Sequence, residues 1–177
     1  MNSTMYIIPG PWPGRLAIVL RPRGGDWLAD DAADWRRAGI DIVVSFLTVE
    51  EEDEFSLQNE AAILSNVGLE FVALSIPDRG VPESRANVFD LLHRLEKELA
   101  AGRTVALHCR QGIGRSGLIA SGLLVVSGQD PERSIETVSA ARGHTIPDTP
   151  EQRHWVIDLA RHLESSRKSV AGLAGRV

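Results

Sequence analysis

Short apolar runs alternate with segments of helical periodicity along most of this chain, and that alternation limits the folds open to it. Ile40–Leu47, Leu69–Ile76 and Thr104–His108 have the length and apolar content of buried strands. Helical segments lie between them. Strands joined in this way pair in parallel through right-handed crossovers, which place helices over the sheet. The sequence therefore predicts an α/β fold with a central, mostly parallel sheet and helices on both faces.

The rest of the chain is organised around that sheet. Two short strands come first, Met5–Ile8 and Leu16–Leu20. Helices are predicted at Asp26–Ala38, from Glu50 to near Gly68, at Ser84–Ala101, from about Ser116 to Val126, and after Asp130-Pro131 and Thr149-Pro150. The acidic start Glu50–Glu54 is interpreted as a solvated helix N-terminus. We see no repeat or linker, so residues 1–165 are predicted to form one domain and 166–177 a flexible C-terminal tail.

Charge and cysteine content exclude several classes of partner. There are 19 Lys and Arg against 24 Asp and Glu, so the basic excess of a nucleic-acid-binding protein is missing. A single cysteine allows neither an intrachain disulfide nor a thiolate-rich zinc site, and the five histidines are scattered. The longest apolar run is too short to span a bilayer, and the N-terminus does not resemble a signal peptide. We expect no metal, no cofactor, no nucleic-acid or membrane partner, and a cytoplasmic protein; the oligomeric state stays open.

The residues that carry chemistry lie between the strand Thr104–His108 and the helix after it. Cys109 enters a loop that contains Gly112 and Gly114. Glycines let backbone N–H groups turn inward, and with the helix N-terminus these donors form an anion cradle. Arg115 adds a planar fork that can hold two phosphate oxygens. The loop is therefore predicted to bind an oxyanion above a sulfur atom.

The same positive field acts on the cysteine. Inward amides, the helix dipole and a guanidinium all favour the thiolate of Cys109 and lower its pKa. The hydroxyl of Ser116 lies where it can donate to the sulfur. The alternative, a buried cysteine that packs like a small apolar residue, does not account for glycines and arginine in this register.

This segment resembles the H-C-x-x-G-x-x-R-S signature of the cysteine-dependent protein tyrosine phosphatases, and reads His108-Cys109-Arg110-Gln111-Gly112-Ile113-Gly114-Arg115-Ser116. The resemblance implies that Cys109 is the nucleophile, that Arg115 binds the phosphoryl group, and that amides of Arg110–Arg115 hold its oxygens. It also implies that Ser116 assists hydrolysis of the phosphoenzyme and that His108 organises the loop. The size and order of the elements look most like the compact dual-specificity phosphatases of the kinase-associated branch. The implied substrate is a protein phosphorylated on tyrosine, and additionally on serine or threonine, hydrolysed through a phosphocysteine.

Cleavage of a phosphate ester needs a proton for the leaving oxygen and a base for the attacking water, and one loop carboxylic acid can serve as both. The candidates are Asp78, Glu83 and Asp148. Asp78 follows a buried strand in a loop stiffened by prolines. Adjacent parallel strands would bring this loop and the cysteine loop to the same sheet edge. We therefore predict Asp78 as the general acid, in agreement with the loop aspartate of the family.

Three further polar residues have open roles. Gln152, at the start of the last helix, positions the attacking water if it acts as a similar residue does in the family, and is otherwise an ordinary first-turn residue. Arg79 is either a turn charge or a gate for the substrate. Arg142 is interpreted as a helix-end charge with a structural contact.

Other activities on this scaffold are not excluded by the residues. A phosphoinositide or small-molecule phosphatase is one alternative, although the loop holds only one additional positive charge, Arg110. A rhodanese-type sulfurtransferase and a phospho-binding module without activity are others. The aromatic clamp of classical tyrosine-specific members cannot be built from tyrosine, because Tyr6 is the only one; Trp12, a phenylalanine or a loop side chain could replace it.

Overall fold

The computed structural model describes residues 4–174, with side chains described for residues 4–165. The strands in this part of the chain are β1 (Met5–Ile8), β2 (Arg15–Val19), β3 (Ile42–Ser45), β4 (Glu70–Ala73) and β5 (Thr104–His108). The helices are α1 (Leu28–Arg37), α2 (Val49–Glu54), α3 (Glu60–Asn66), α4 (Arg85–Ala100), α5 (Gly114–Val126), α6 (Pro131–Arg142) and α7 (Pro150–Ala174), and a 3-10 turn, Gly25–Trp27, precedes α1.

The five strands form one sheet in the order β1-β2-β5-β3-β4. β1 runs antiparallel to β2, and the other neighbouring pairs are parallel, so the predicted mostly parallel sheet is confirmed. β5 lies in the middle, with Leu107 opposite Ile18 of β2 and Val44 of β3. Cys109 therefore leaves the sheet at the centre of its carboxyl edge, where open α/β sheets bind ligands.

Helices cover both faces because alternate strand residues point to opposite sides. On one side Val44 and Leu107 belong to an apolar cluster that includes residues of α4, α5, α6 and α7. On the other side Val43 and Ala106 pack with residues of α1 and α3. This two-sided packing confirms the predicted layers and holds β5 rigidly beneath the loop that follows it.

The helix behind the cysteine loop, α5, begins at Gly114, slightly earlier than the predicted start near Ser116. Every residue from Arg115 to Val126 is buried. Close packing requires glycine at position 117, because a Cβ on Gly117 would lie 2.3 Å from Cγ2 of Ile146. The loop is thus anchored to a helix that packs tightly on its neighbours.

The acidic segment differs from the prediction, because it forms two helices instead of one. In the connection between α2 and α3, Ser56 has a φ of 55° and Leu57 is buried against Leu28 and Leu47. The left-handed residue interrupts the helical hydrogen bonds, and burial of a leucine side chain contributes about 1.5–3 kcal/mol. The connection therefore follows tertiary packing, which periodicity alone does not reveal.

The C-terminal helix α7 extends into the segment 166–177, for which a flexible tail is predicted. The side chains of 166–174 and the whole of 175–177 lie outside the described residues, so the tail and the domain boundary stay predictions. Within residues 4–174, none of the helices combines the length and the apolar character needed to cross a bilayer.

Candidate active site

Cys109 lies in a cavity of about 240 Å³ that opens at the carboxyl edge of the sheet. The cysteine is 3% exposed, so the cavity is its route to a ligand. Its neighbours Arg110, Gln111 and Ile113 line the same cavity. The structure thus brings the predicted loop residues around one concave space that is large enough for a phosphoryl group.

Two glycines are required by the shape of this loop. Gly112 has a φ of +64°, and a Cβ there would lie 3.0 Å from Cγ2 of Ile18 and 3.1 Å from the carbonyl oxygen of Val19. A Cβ on Gly114 would lie 3.1 Å from Oε1 of Gln152. These glycines permit the close approach of the loop to β2 and α7 in addition to freeing the amides.

Burial raises the pKa of the Cys109 thiol, but the polar surroundings outweigh it. The hydroxyl and the amide of Ser116 favour the thiolate most, the charge of the Arg115 guanidinium attracts it, and the amide of Gln111 adds to the effect. The net pKa lies below the ordinary value, in the predicted direction. In the described part of the chain the Ser116 hydroxyl oxygen is fully buried and has no hydrogen-bond partner, so no competing contact holds its proton away from the sulfur.

The guanidinium of Arg115 is held in place by a carboxylate that the sequence analysis did not single out. Nη1 of Arg115 donates to Oε2 of Glu51 at 2.6 Å, and Nη2 donates to Oε1 at 2.8 Å. Nη1 also donates to the carbonyl oxygens of Phe46 and Ile76. Arg115 is 1% exposed, and this bidentate pair fixes the plane of its fork.

Glu51 had a recognisable sequence signal. Its spacing from Thr48 is that of a capping box, and both reciprocal hydrogen bonds are present: the Thr48 amide donates to Oε2 of Glu51, and the Glu51 amide donates to Oγ1 of Thr48. The side chain therefore folds back over the helix start and is only 8% exposed. The interpretation of the acidic run as wholly solvated is wrong for this residue.

Arg142 holds the loop from the opposite side. Its Nε donates to the carbonyl oxygen of Gly112 at 2.8 Å, and Nη2 donates to that of Gln111 at 3.1 Å. Its guanidinium also lies over the ring of Tyr6, 4.0 Å from the centroid. In a trans peptide the N–H points opposite to the C=O, so the amides that follow these two carbonyls point away from Arg142. These two hydrogen bonds are the structural contact predicted for Arg142.

Asp78 reaches the same cavity from the loop after β4. Its Oδ1 accepts a hydrogen bond from Nη2 of Arg115 at 3.2 Å, and its side chain is 56% exposed. Of the other candidate acids, Asp148 lines the cavity but pairs with Arg79 at 3.1 Å, whereas Glu83 is exposed and outside the cavity lining. The structure therefore brings Asp78, and not Glu83, together with the cysteine loop.

Gln152 is fully buried and connects the loop that carries Asp78, here called the acid loop, to the start of α7. Its Nε2 donates to the carbonyl oxygen of Gly80 at 2.8 Å, and its Oε1 accepts from the amides of Asp148 and Thr149. Arg79 adds its ion pair with Asp148 to the same junction. The Gln152 amide is thus engaged by backbone in this state, and its predicted role in positioning water stays a prediction.

Beneath the cysteine loop, His108 is fully buried beside a second carboxylate that the sequence analysis missed. Its Nε2 lies 3.0 Å from Oε1 of Glu60, whose side chain is 2% exposed. The ring of Trp35 packs against the imidazole with centroids 6.1 Å apart. No sequence spacing connects position 60 with position 108, because α3 and β5 meet only through the fold.

The residues proposed as an aromatic clamp do not lie in the cavity. No aromatic side chain is among the described residues that line it. The indole of Trp12 donates to Oγ of Ser127 at the end of α5, opposite to the end that carries the cysteine loop. The rim is formed by charged side chains instead, including Arg79 and Arg110.

Comparisons with known proteins agree with this geometry. The family model described as "Polymorphic toxin system, DSP-PTPase phosphatase" matches residues 19–129, which include the cysteine loop and Asp78. The chain is 29% identical over 152 residues to cyclin-dependent kinase inhibitor 3 of Sus scrofa, covering 82% of this chain and 71% of the relative. It is 35% identical over 101 residues to phosphatidylglycerophosphatase and protein-tyrosine phosphatase 1 of Rattus norvegicus, covering 55% and 52%.

Solved structures show the same fold. Kinase associated phosphatase, in a form whose catalytic-site cysteine is replaced by serine, superimposes with a TM-score of 0.85 at 20% identity, over 93% of this chain and 97% of that chain. Tk-PTP in its active form superimposes with a TM-score of 0.69 at 26% identity, over 84% and 92%. The chain therefore belongs to the DSP-PTPase phosphatase family of polymorphic toxin systems and is a compact dual-specificity phosphatase of the cysteine-dependent protein tyrosine phosphatase superfamily.

Proposed function

We propose that the described site hydrolyses phosphate monoesters in two steps, with Cys109 as nucleophile and Asp78 as the acid and base. In the first step the thiolate attacks phosphorus, an S–P bond forms, and the P–O ester bond breaks as Asp78 gives its proton to the leaving oxygen. Arg115 and the loop amides bind the equatorial oxygens, where negative charge is concentrated. The nucleophile, the acid and the cation are all side chains, so the mechanism uses no metal or cofactor.

In the second step water attacks the phosphocysteine. The Asp78 carboxylate takes a proton from the water, the S–P bond breaks, and phosphate and the Cys109 thiolate are released. The Ser116 hydroxyl stabilises that thiolate as it departs, which the lowered pKa of Cys109 supports. The observation that carries the proposal is that Cys109, Arg115 and Asp78 line one cavity, in which Arg115 donates a hydrogen bond to Asp78.

The proposed substrates are proteins phosphorylated on tyrosine, and on serine or threonine. The family and the similarity to cyclin-dependent kinase inhibitor 3 support a protein substrate. None of the described residues that line the cavity is aromatic, so none stacks on the phenyl ring of a phosphotyrosine. This lining supports hydrolysis of the short phosphoserine and phosphothreonine side chains as well as of phosphotyrosine. Family membership favours hydrolysis over the sulfurtransferase and binding-module alternatives.

A phospholipid headgroup phosphate is a second candidate substrate, favoured by the 35% identity to the rat enzyme named for phosphatidylglycerophosphate.

We propose a cytoplasmic location, supported by the single Cys109, because a reducing compartment protects a reactive thiolate from oxidation.

A panel of phosphotyrosine, phosphoserine and phosphothreonine peptides, phosphatidylglycerophosphate and phosphoinositides tests this assignment. Cys109→Ser should abolish turnover and still bind phosphate. Asp78→Asn should lower kcat by about 10²- to 10⁴-fold, most for poor leaving groups, whereas Asp90→Asn on the exposed surface of α4 should not. Turnover by the Cys109→Ser variant would refute the mechanism, and turnover of lipids alone would assign the second substrate class.

A further inference from the structure

The proposed function leaves unexplained a cationic surface beside the cavity. Arg110 lines the cavity, and its guanidinium lies over the ring of Phe55, 4.9 Å from the centroid. Arg21 lies over the same ring at 3.8 Å. Two guanidiniums thus share one aromatic side chain at the edge of the phosphoryl site. We call Arg21, Phe55 and Arg110 the Arg21 surface.

The charges on this surface are not equivalent. Arg110 forms a bidentate pair with Glu54, at 2.9 and 3.1 Å. The next basic residue along the chain, Arg23, is paired with Asp31. Arg21 makes a hydrogen bond to the carbonyl oxygen of Pro22 and, among the described residues, no ion pair. Its charge is therefore available to an external anion.

The surface is held in place by backbone packing. Gly24 approaches the connection after α2 so closely that a Cβ there would lie 1.7 Å from the carbonyl oxygen of Phe55. The amide of Gly25 donates to the carbonyl oxygen of Ser56 at 3.0 Å. The segment that carries Arg21 is thereby fixed against the segment that carries Phe55, so a ligand would meet an arginine that is already oriented.

The chain reaches Arg21 directly from the strand that packs against the cysteine loop. Leu20 follows β2 at the carboxyl edge of the sheet and is 49% exposed. Its neighbour in the chain, Val19, has its carbonyl oxygen against the cysteine loop at Gly112. A guanidinium without an ion pair among the described residues, oriented by an aromatic ring beside the phosphoryl site, is complementary to a polypeptide that carries a second negative charge.

We propose that the Arg21 surface is a specificity subsite that binds a second anionic group of the substrate, close in sequence to the phosphorylated residue. The inference rests on the proposed protein phosphatase function and names the substrate class within it: phosphopeptides with a neighbouring acidic side chain or a second phosphate. Both groups are anions that a guanidinium binds by charge-assisted hydrogen bonds.

Phosphotyrosine peptides test the subsite in three forms, with neutral neighbours, with glutamates, and with a phosphoserine, placed in turn at each of the three positions on either side. The wild type should prefer at least one anionic form by about three- to tenfold in kcat/KM, and the preference should weaken as salt is added. Rates are measured as loss of phosphotyrosine, since phosphoserine is itself a proposed substrate, and the glutamate and phosphoserine forms then distinguish the two sources of the anion.

Arg21→Gln should remove the preference, and Arg133→Gln, which removes a charge from the exposed surface of α6, should preserve it. Phe55→Leu should reduce it, because the ring that orients Arg21 is lost; circular dichroism checks that each variant folds. A wild type that hydrolyses all forms equally, or a preference that survives Arg21→Gln, would overturn the subsite. Failure to hydrolyse any phosphopeptide would instead count against the proposed function.

Discussion

The pKa of the Cys109 thiol lies below its ordinary value, although burial alone would raise it. Four polar influences act on the sulfur from three residues, and the two largest come from the hydroxyl and amide of Ser116. Arg115 contributes through charge, and its own position depends on Glu51. Hydrogen-bond donors and a neighbouring charge, and not exposure, therefore favour the reactive thiolate of this cysteine.

Ser116→Ala should raise the pKa of Cys109 toward its ordinary value, because one donor to the thiolate is lost. We expect the rate of inactivation by iodoacetate to rise at a higher pH than in the wild type, and kcat to fall by about ten- to hundredfold. Ser121→Ala is the matched control, since Ser121 is also a buried serine of α5 whose hydroxyl oxygen has no partner among the described residues. Superimposable pH profiles for Ser116→Ala and wild type would contradict the role of this hydroxyl.

At this scale the sequence predicts residues that act within one local segment. Cys109, Arg115 and Ser116 are separated by a few positions, so the strand–loop–helix pattern places them together. Glu51 and Glu60 come from other elements and are brought to the loop by tertiary contacts. The capping-box spacing distinguished Glu51 from its acidic neighbours, whereas Glu60 had no comparable signal.

Among the elements, the acid loop is fixed by the N-terminus of α7. Two contacts hold the chain on the C-terminal side of Asp78: Arg79 pairs with Asp148, and Gln152 donates to the carbonyl oxygen of Gly80. On the other side, Arg115 binds the carbonyl oxygen of Ile76. The sequence predicts α7 and its start. It does not predict these contacts, because they depend on how close the turn before α7 comes to the acid loop in the folded chain.

Asp148→Asn should loosen the acid loop by removing the charge that holds Arg79. We expect kcat for esters with poor leaving groups to fall by about three- to tenfold, with little change in KM, because proton transfer depends on the position of Asp78. Phenyl phosphates of graded leaving-group pKa measure the effect. Asp158→Asn breaks a comparable ion pair on the exposed surface of α7 and should have no effect. Equal losses for good and poor leaving groups would contradict the positioning role.

For the whole molecule, the strand order decides which loops meet. The alternation of strands and helices predicts a parallel sheet, in which β4 and β5 are expected to be adjacent and to bring their following loops to one edge. The adjacency is wrong, although both loops do reach that edge. The observed order puts β3 between them, so Asp78 reaches the cavity across the end of β3. Arg115 spans that gap by binding the carbonyl oxygens of Phe46 and Ile76. The alternation of apolar runs and helical periodicity predicts the class of fold. The order of the strands depends on long-range packing, which local sequence patterns do not reveal.

The ionised site also makes the stability of the whole fold depend on pH. Burial raises the pKa of Glu51, but hydrogen bonds from Arg115 and the Thr48 amide, with the charges of Arg115 and Arg110, bring it below the ordinary value. Burial raises the pKa of Glu52, and repulsion by Glu60 and Asp53 adds to it. Acidification therefore removes a stabilising charge at Glu51 and relieves an unfavourable one at Glu52.

Of these two, Glu51 should dominate, because its protonation leaves the buried Arg115 without its bidentate partner. A carboxyl whose folded pKa is depressed stabilises the fold fully above its unfolded pKa, about 4.3, and loses that contribution as the pH falls through the folded value. Calorimetry between pH 7 and pH 3 should show Tm falling at the acid end. Glu51→Gln should have a lower Tm at pH 7, by about 2–4 °C for each kcal/mol lost, and a shallower decline on acidification. Glu83→Gln, at an exposed carboxylate, should decline in parallel with the wild type, and a Glu51→Gln variant that does the same would disprove the linkage.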